Sequence, residues 1–169
     1  GTDFSPAVVG ALTGLGRAET QAALDRLRRH DLAQPTGTYS GDEPVWRFHH
    51  VLIRDVAYRR LLKSDRAELH ETLADWAPGD GARPALQSDE MVARHLEAAV
   101  GYRRDLGMRD EHTTELALRS ARGYLASARR ALDRDELLSA GTQAARGAAI
   151  ATGDATLKAE LLLIGCEAF

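Results

Sequence analysis

Leu32-Ala33-Gln34-Pro35-Thr36-Gly37-Thr38-Tyr39-Ser40-Gly41-Asp42-Glu43-Pro44-Val45-Trp46-Arg47-Phe48 is the stretch whose reading decides the fold. Leu32 to Gln34 and Val45 to Phe48 read as short strands, and the polar segment Gly37 to Pro44 between them reads as the turn of a hairpin. Upstream, residues 6–13 and 18–30 read as two short helices, with Leu24 and Leu27 on the inner face of the second. Downstream, a helix is expected from about Val51 to Leu62. Another should start near Asp65, where Asp65 and Glu68 have the spacing of a capping box, and run to Trp76.

Helix, helix, hairpin, helix is the order of a winged-helix unit. Beyond it the pattern changes. All five prolines, Pro6 to Pro84, lie in the first half, and hydrophobic spacing after Ala85 becomes regularly helical. Leu118, Ala121, Leu125, Ala128 and Leu132 mark one helix face; Leu137, Gly141, Ala144, Ala148 and Ala151 mark the next, with small residues that admit a close partner. Leu157, Leu161, Ile164 and Ala168 begin a third. Thr113 and Asp154 can each cap a helix start and stand 41 residues apart, near the period of helical-hairpin repeats. The expected fold is therefore mainly α. A winged-helix domain with its following helix covers residues 1–77, the Pro- and Gly-rich segment 78–87 is a linker, and an antiparallel tetratricopeptide-like array covers 88–169.

Composition narrows the function classes. The 169-residue chain is 44% hydrophobic and 28% charged, which fits a globular protein rather than a disordered one. Lys and Arg against Asp and Glu number 11 and 12 in residues 1–87, and 11 and 13 in 88–169. Neither half is basic, which argues against non-specific attachment to nucleic acid or to an acidic membrane. No apolar run approaches a membrane span, and the single Cys166 cannot close an internal disulfide, so a reducing, cytoplasmic setting is expected. A start at Gly1-Thr2-Asp3 and a last residue, Phe169, inside a helical pattern suggest a piece of a longer protein, with the array truncated at its end.

The residues that could carry chemistry fail their spacing tests. Lys63-Ser64 follows Leu61 and Leu62 rather than the glycines of a phosphate loop, and Gly10, Gly14 and Gly16 are wrongly spaced for a dinucleotide fingerprint. His70-Glu71 lacks the second His of a zincin helix, since position 74 is Ala74. His49 and His50, on a helix, would point about 100° apart, and His95 and His112 lie in separate segments. No metal site is expected. Cys166 sits in an apolar stripe beside Ile164 and is expected to be a small buried hydrophobe. The carboxylates pair in sequence with arginines, as in Arg54-Asp55 and Asp65-Arg66, and read as solvated helix faces. For DNA, the candidate reading helix at 19–30 mixes Arg26, Arg28 and Arg29 with Glu19 and Asp25, and the turn at 37–44 holds two acids and no base.

The run Trp46-Arg47-Phe48-His49-His50-Val51-Leu52-Ile53-Arg54-Asp55-Val56-Ala57-Tyr58 resembles the winged-helix segment of signal-transduction ATPases with numerous domains, the STAND class. The likeness is to actinobacterial proteins that join such an ATPase to an adenylate/guanylate cyclase or a LuxR-type DNA-binding domain. It rests on Phe48, His50, Leu52, Ile53, Arg54, Asp55 and Tyr58, then Leu61, Leu62, Arg66, Leu69 and His70. His95-Leu96-Glu97-Ala98-Ala99 and Tyr102 to Gly107 resemble the start of that class's helical region. The resemblance implies that the winged helix closes as an inhibitory lid on an upstream nucleotide-binding core. It implies that His50, with Arg54 four residues on, stands where a His of the class reaches the β-phosphate of ADP. Val51 replaces the acidic residue of that motif, and the alternative keeps His50 as a helix-start residue bonded within its own domain.

The function so implied is a non-catalytic regulatory fragment. The resemblance implies no cofactor for the fragment itself, and a parent protein that binds ATP and ADP and joins its ATPase to an output domain such as a nucleotide cyclase. Its partners would be the parent's own upstream ATPase domain and a protein or small-molecule inducer on the helical array, with no membrane and no direct nucleic-acid contact. The competing function is a winged-helix DNA-binding module of a transcriptional regulator.

Overall fold

The computed structural model describes residues 3–40, 43–76 and 88–168. The chain divides into two compact units, Gly1–Leu62 and Lys63–Phe169. It is mainly helical, with one small antiparallel sheet, and among the described residues no helix is long and apolar enough to cross a membrane.

The first unit opens with β1 (Asp3–Phe4), followed by α1 (Pro6–Thr13), α2 (Arg17–Arg29), β2 (Ala33–Ser40), β3 (Glu43–Phe48) and α3 (Val51–Arg60). Ser5 caps α1 by accepting from the Val8 N–H at 3.3 Å, Pro6 pre-sets the first turn, and Gly14, at φ +69°, ends the helix in a left-handed conformation. Glu19 reaches back to the Gly16 N–H at 3.0 Å to start α2. The sheet order is β1-β3-β2, and Arg47 on β3 grips Asp3 on β1 through two bonds of 2.6 and 2.7 Å. Leu24, Ala33 and Trp46 form the buried core, with Phe4 and Leu27 packed on it.

Two features depart from the expected hairpin. The segment 37–44 is not all turn: β2 runs on to Ser40 and β3 starts at Glu43, with a register irregularity between Pro35 and Tyr39. Pro35 and Gly37 look like turn residues, yet β2 is an edge strand, where a missing N–H and a bulge are tolerated. The strand β1 leaves no signal in the sequence, because its two residues carry no periodicity.

The second unit holds α4 (Lys63–Asp75), α5 (Asp89–Asp105), α6 (Glu111–Leu132), α7 (Leu137–Ile150) and α8 (Ala155–Glu167). Consecutive helices run antiparallel. Lys63 meets Asp105 at 2.9 Å while His70 meets His95; Arg103 meets Thr113 at 2.8 Å while Ser120 donates to the Ala93 carbonyl. Polar contacts also join alternate helices: Glu71 of α4 faces His112 of α6, and ion pairs link Asp75 of α4 to Arg119 of α6, Glu97 of α5 to Arg146 of α7, and Arg129 of α6 to Glu160 of α8. The core is rich in alanine and runs from Ala74 through Leu96, Leu116, Leu125 and Ala144 to Leu161 and Ile164.

The expectations for this half divide. Ala121, Leu125 and Ala128 are buried as expected, as are Leu157, Leu161, Ile164 and Ala168. Leu137 is exposed. Cys166 is exposed as well, not a buried hydrophobe, because it lies about 200° around α8 from Ile164. Asp154 caps α8, but α6 is capped by Asp110, and Thr113 sits inside the helix as the donor to that cap. Asp65 is not a cap either, since α4 starts two residues earlier at Lys63. The helix assigned with the first domain, α4, packs on α5, so the units meet between Leu62 and Lys63. The linker expected at 78–87 lies outside the described residues.

Candidate functional site

β3 delivers the chain to His49, whose N–H donates to the Leu32 carbonyl at 3.0 Å and closes the sheet edge. His50 then stands in extended backbone (φ −139°, ψ 142°) as the N-cap of α3, and its Nδ1 accepts from the Leu52 N–H at 3.1 Å. The bond fixes the tautomer of the neutral ring. With the Nδ1 lone pair committed to the helix, the proton sits on Nε2, which makes an exposed donor at a helix start. His49 and His50 therefore both precede the helix rather than diverging along it. Arg54 lies one turn into α3, half-buried, and its Nε and Nη2 bond Asp55 Oδ1 at 2.9 and 2.5 Å.

The helix that carries these residues is unusual in its packing. None of its ten residues is buried, and Val51, Leu52 and Val56 are exposed, Leu52 at 62%. An amphipathic segment normally hides its apolar side chains. Here α3 leaves Val51, Leu52 and Val56 open, beside the exposed His50 ring. The likeness also crosses the unit boundary: Phe48 to Leu62 belong to the first unit, and Arg66, Leu69 and His70 to the second.

In the second unit the structure joins histidines that sequence spacing kept apart. His70 Nδ1 and His95 Nδ1 stand 2.9 Å apart, across α4 and α5. His70 stacks on Tyr102 at 6.0 Å between centroids, and Arg66 lies over the same ring at 5.5 Å. Burial lowers the pKa of both imidazoles, that of His95 to about 4 with further help from His70 and Arg94, so the pair is neutral at pH 7. Glu71, the neighbour of His70, faces His112 Nε2 at 2.7 Å. A failed zincin pattern thus conceals two inter-helix contacts. The available signal was that positions 70 and 71 on one helix address different neighbours.

Tyr124, fully buried on α6, donates to Glu97 at 2.6 Å, and Arg146 meets the same carboxylate while lying over the Tyr124 ring at 5.2 Å. Burial and then the Glu97 carboxylate push the Tyr124 hydroxyl well above its usual pKa. This network ties α5, α6 and α7 together and has the character of a structural bond. Among the described residues no group of three or more His, Cys, Asp or Glu side chains is arranged to hold a metal ion. Comparison with protein-family models, with curated proteins and with solved structures finds no match to this chain, so its function rests on the residues themselves.

Proposed function

We propose that the chain is a non-catalytic regulatory segment of a multidomain signalling ATPase of the STAND class. In this reading, residues 1–62 are a winged helix that closes on an upstream nucleotide-binding core, and the helices from Lys63 onward are a tetratricopeptide-like scaffold for a protein or small inducer. The observation that carries it is α3, where an exposed imidazole donor at the cap adjoins the unburied Val51, Leu52 and Val56. A lid helix needs this combination: apolar surface to bury against a partner domain and a donor to reach a diphosphate. The order α1, α2, β2, β3, α3, with β1 joined to β3, supports the winged-helix assignment. The antiparallel succession and the alternate-helix ion pairs support the array.

Calorimetric ADP binding to the intact parent protein tests the reading. Because His50 also caps α3, two variants are needed. His50→Ala removes both cap and imidazole, while His50→Asn restores a good capping acceptor without the ring. Both should weaken ADP at least tenfold, about 1.4 kcal/mol. Full affinity in His50→Asn would reduce His50 to a cap, and absence of ADP binding in the wild type would leave a plain scaffold.

A further inference from the structure

Arg94 and His95 of α5 line an open cleft of about 410 Å³ with His70 of α4 and Arg146 of α7. Most polar atoms there are already engaged. Glu97 accepts from Tyr124 and Arg146, and the Nδ1 atoms of His70 and His95 face each other. Two groups retain capacity. Among the described residues, Arg94 has only Glu90, at 3.9 Å, too long for a hydrogen bond, and Nε2 of His95 has no partner. With both imidazoles neutral, Arg94 and Arg146 are matched in number by Glu90 and Glu97, but the 3.9 Å separation from Glu90 leaves the Arg94 fork open to an added anion.

We propose that this cleft binds a small phosphate- or carboxylate-bearing anion between the Arg94 guanidinium and Nε2 of His95. A guanidinium fork matches either anion in two parallel bonds. When His70 Nδ1–H donates to His95 Nδ1, the proton of neutral His95 sits on Nε2 and points a second donor at the ligand. Binding is coupled to protonation. The groups around the pair are Arg66 and His70 of α4, Tyr102 and Glu97 of α5, the Tyr124 hydroxyl of α6 and Arg146 of α7. Burial, then His70 and Arg94, disfavour an imidazolium at His95, and an anion held there offsets the charge of Arg94, so ligand binding draws a proton onto His95. The site uses residues of the second unit alone and is independent of nucleotide gating by the first.

The test titrates the whole 169-residue chain with inorganic phosphate and, separately, with citrate at pH 5.5, following the histidine side chains by NMR against sodium chloride at equal ionic strength. A saturable shift at His95 is expected, its pKa moving upward from about 4 at saturation, with Arg94→Gln weakening binding at least about tenfold. Response to phosphate alone or citrate alone identifies which anion the cleft selects, and either supports the site. The same response to chloride, or unchanged binding in Arg94→Gln, overturns it. Arg94 is an exposed side chain, so its replacement leaves the helix packing in place.

Discussion

At Gly147 an added Cβ would lie 2.7 Å from Leu161 Cδ2 and 3.0 Å from Tyr124 Cβ, so α7 approaches both neighbours at a point that admits no methyl group. Leu161 and Tyr124 are fully buried, so either one makes room only by displacing its own neighbours. Gly147→Ala gains about 1 kcal/mol of helix propensity and loses about 1–3 kcal/mol to overpacking. Net destabilisation of up to about 2 kcal/mol is expected in urea unfolding, and a raised midpoint would show that the contact relaxes freely. His95 gives a pH-dependent counterpart. Its folded pKa, about 4, lies below the ordinary 6.5, so the unfolded chain binds more protons between those values. The contribution of the neutral pair is complete above about pH 6.5 and declines as pH falls toward 4. His95→Gln should flatten that part of a stability-versus-pH curve. Asp110 acts in a lower window. The Thr113 hydroxyl, then its N–H, and Arg103 hold the carboxylate at about 2, so its contribution is complete above about pH 4 and lost as pH falls through 2. Asp110→Asn keeps a capping acceptor and should remove only this acid-side slope; a slope that persists would assign it to other carboxylates.

Among the elements, α3 and α8 show what periodicity could and could not reveal. The α8 stripe Leu157, Leu161, Ile164 and Ala168 was legible because it steps by three and four around one face, while Leu162, Leu163 and Cys166 fall on the other side and are exposed. A run of apolar residues hides that distinction until the helix phase is fixed. α3 was legible as a helix, but no sequence pattern shows that Val51, Leu52 and Val56 are left exposed on it. The fellowship of α4 was hidden too, since the Pro- and Gly-rich segment suggested a break after it and only packing reveals α5 as its neighbour. The His70–His95 pair follows from that packing, which is why residue spacing missed it. The exposure of α3 separates two outcomes. In this chain, Leu52→Gln should change stability by less than about 0.5 kcal/mol, whereas Leu161→Ala should cost about 2–5 kcal/mol. In the intact parent protein, Leu52→Gln should speed ADP release if α3 is the lid contact; an unchanged release rate would remove α3 from that interface.

For the whole molecule, the two units differ in how much apolar surface they remove from water. Among the described residues, the cluster of the first unit has three buried apolar side chains, Leu24, Ala33 and Trp46, whereas the main cluster of the second unit has fifteen buried members. Units of about 60 residues are marginal even when well packed. The Trp46 indole N–H is buried without a hydrogen-bond partner among the described residues, which costs about 1–3 kcal/mol. The first unit should therefore unfold before the second, and the chain should not behave as a two-state protein. Its two tryptophans make this measurable, since Trp46 lies in the first unit and Trp76 in the second. In a Trp76→Phe chain, fluorescence reports only the first unit, while far-UV circular dichroism is dominated by the long helices of the second. At a slope of about 1–2 kcal/mol/M, a stability gap of about 2 kcal/mol separates the two midpoints by about 1–2 M urea, fluorescence first. Amides of α3 should exchange with solvent faster than those of α6 for the same reason. Coincident midpoints would mean that the thin core of the first unit is stabilised by the rest of the chain, and the bare face of α3 would then no longer argue for an external partner.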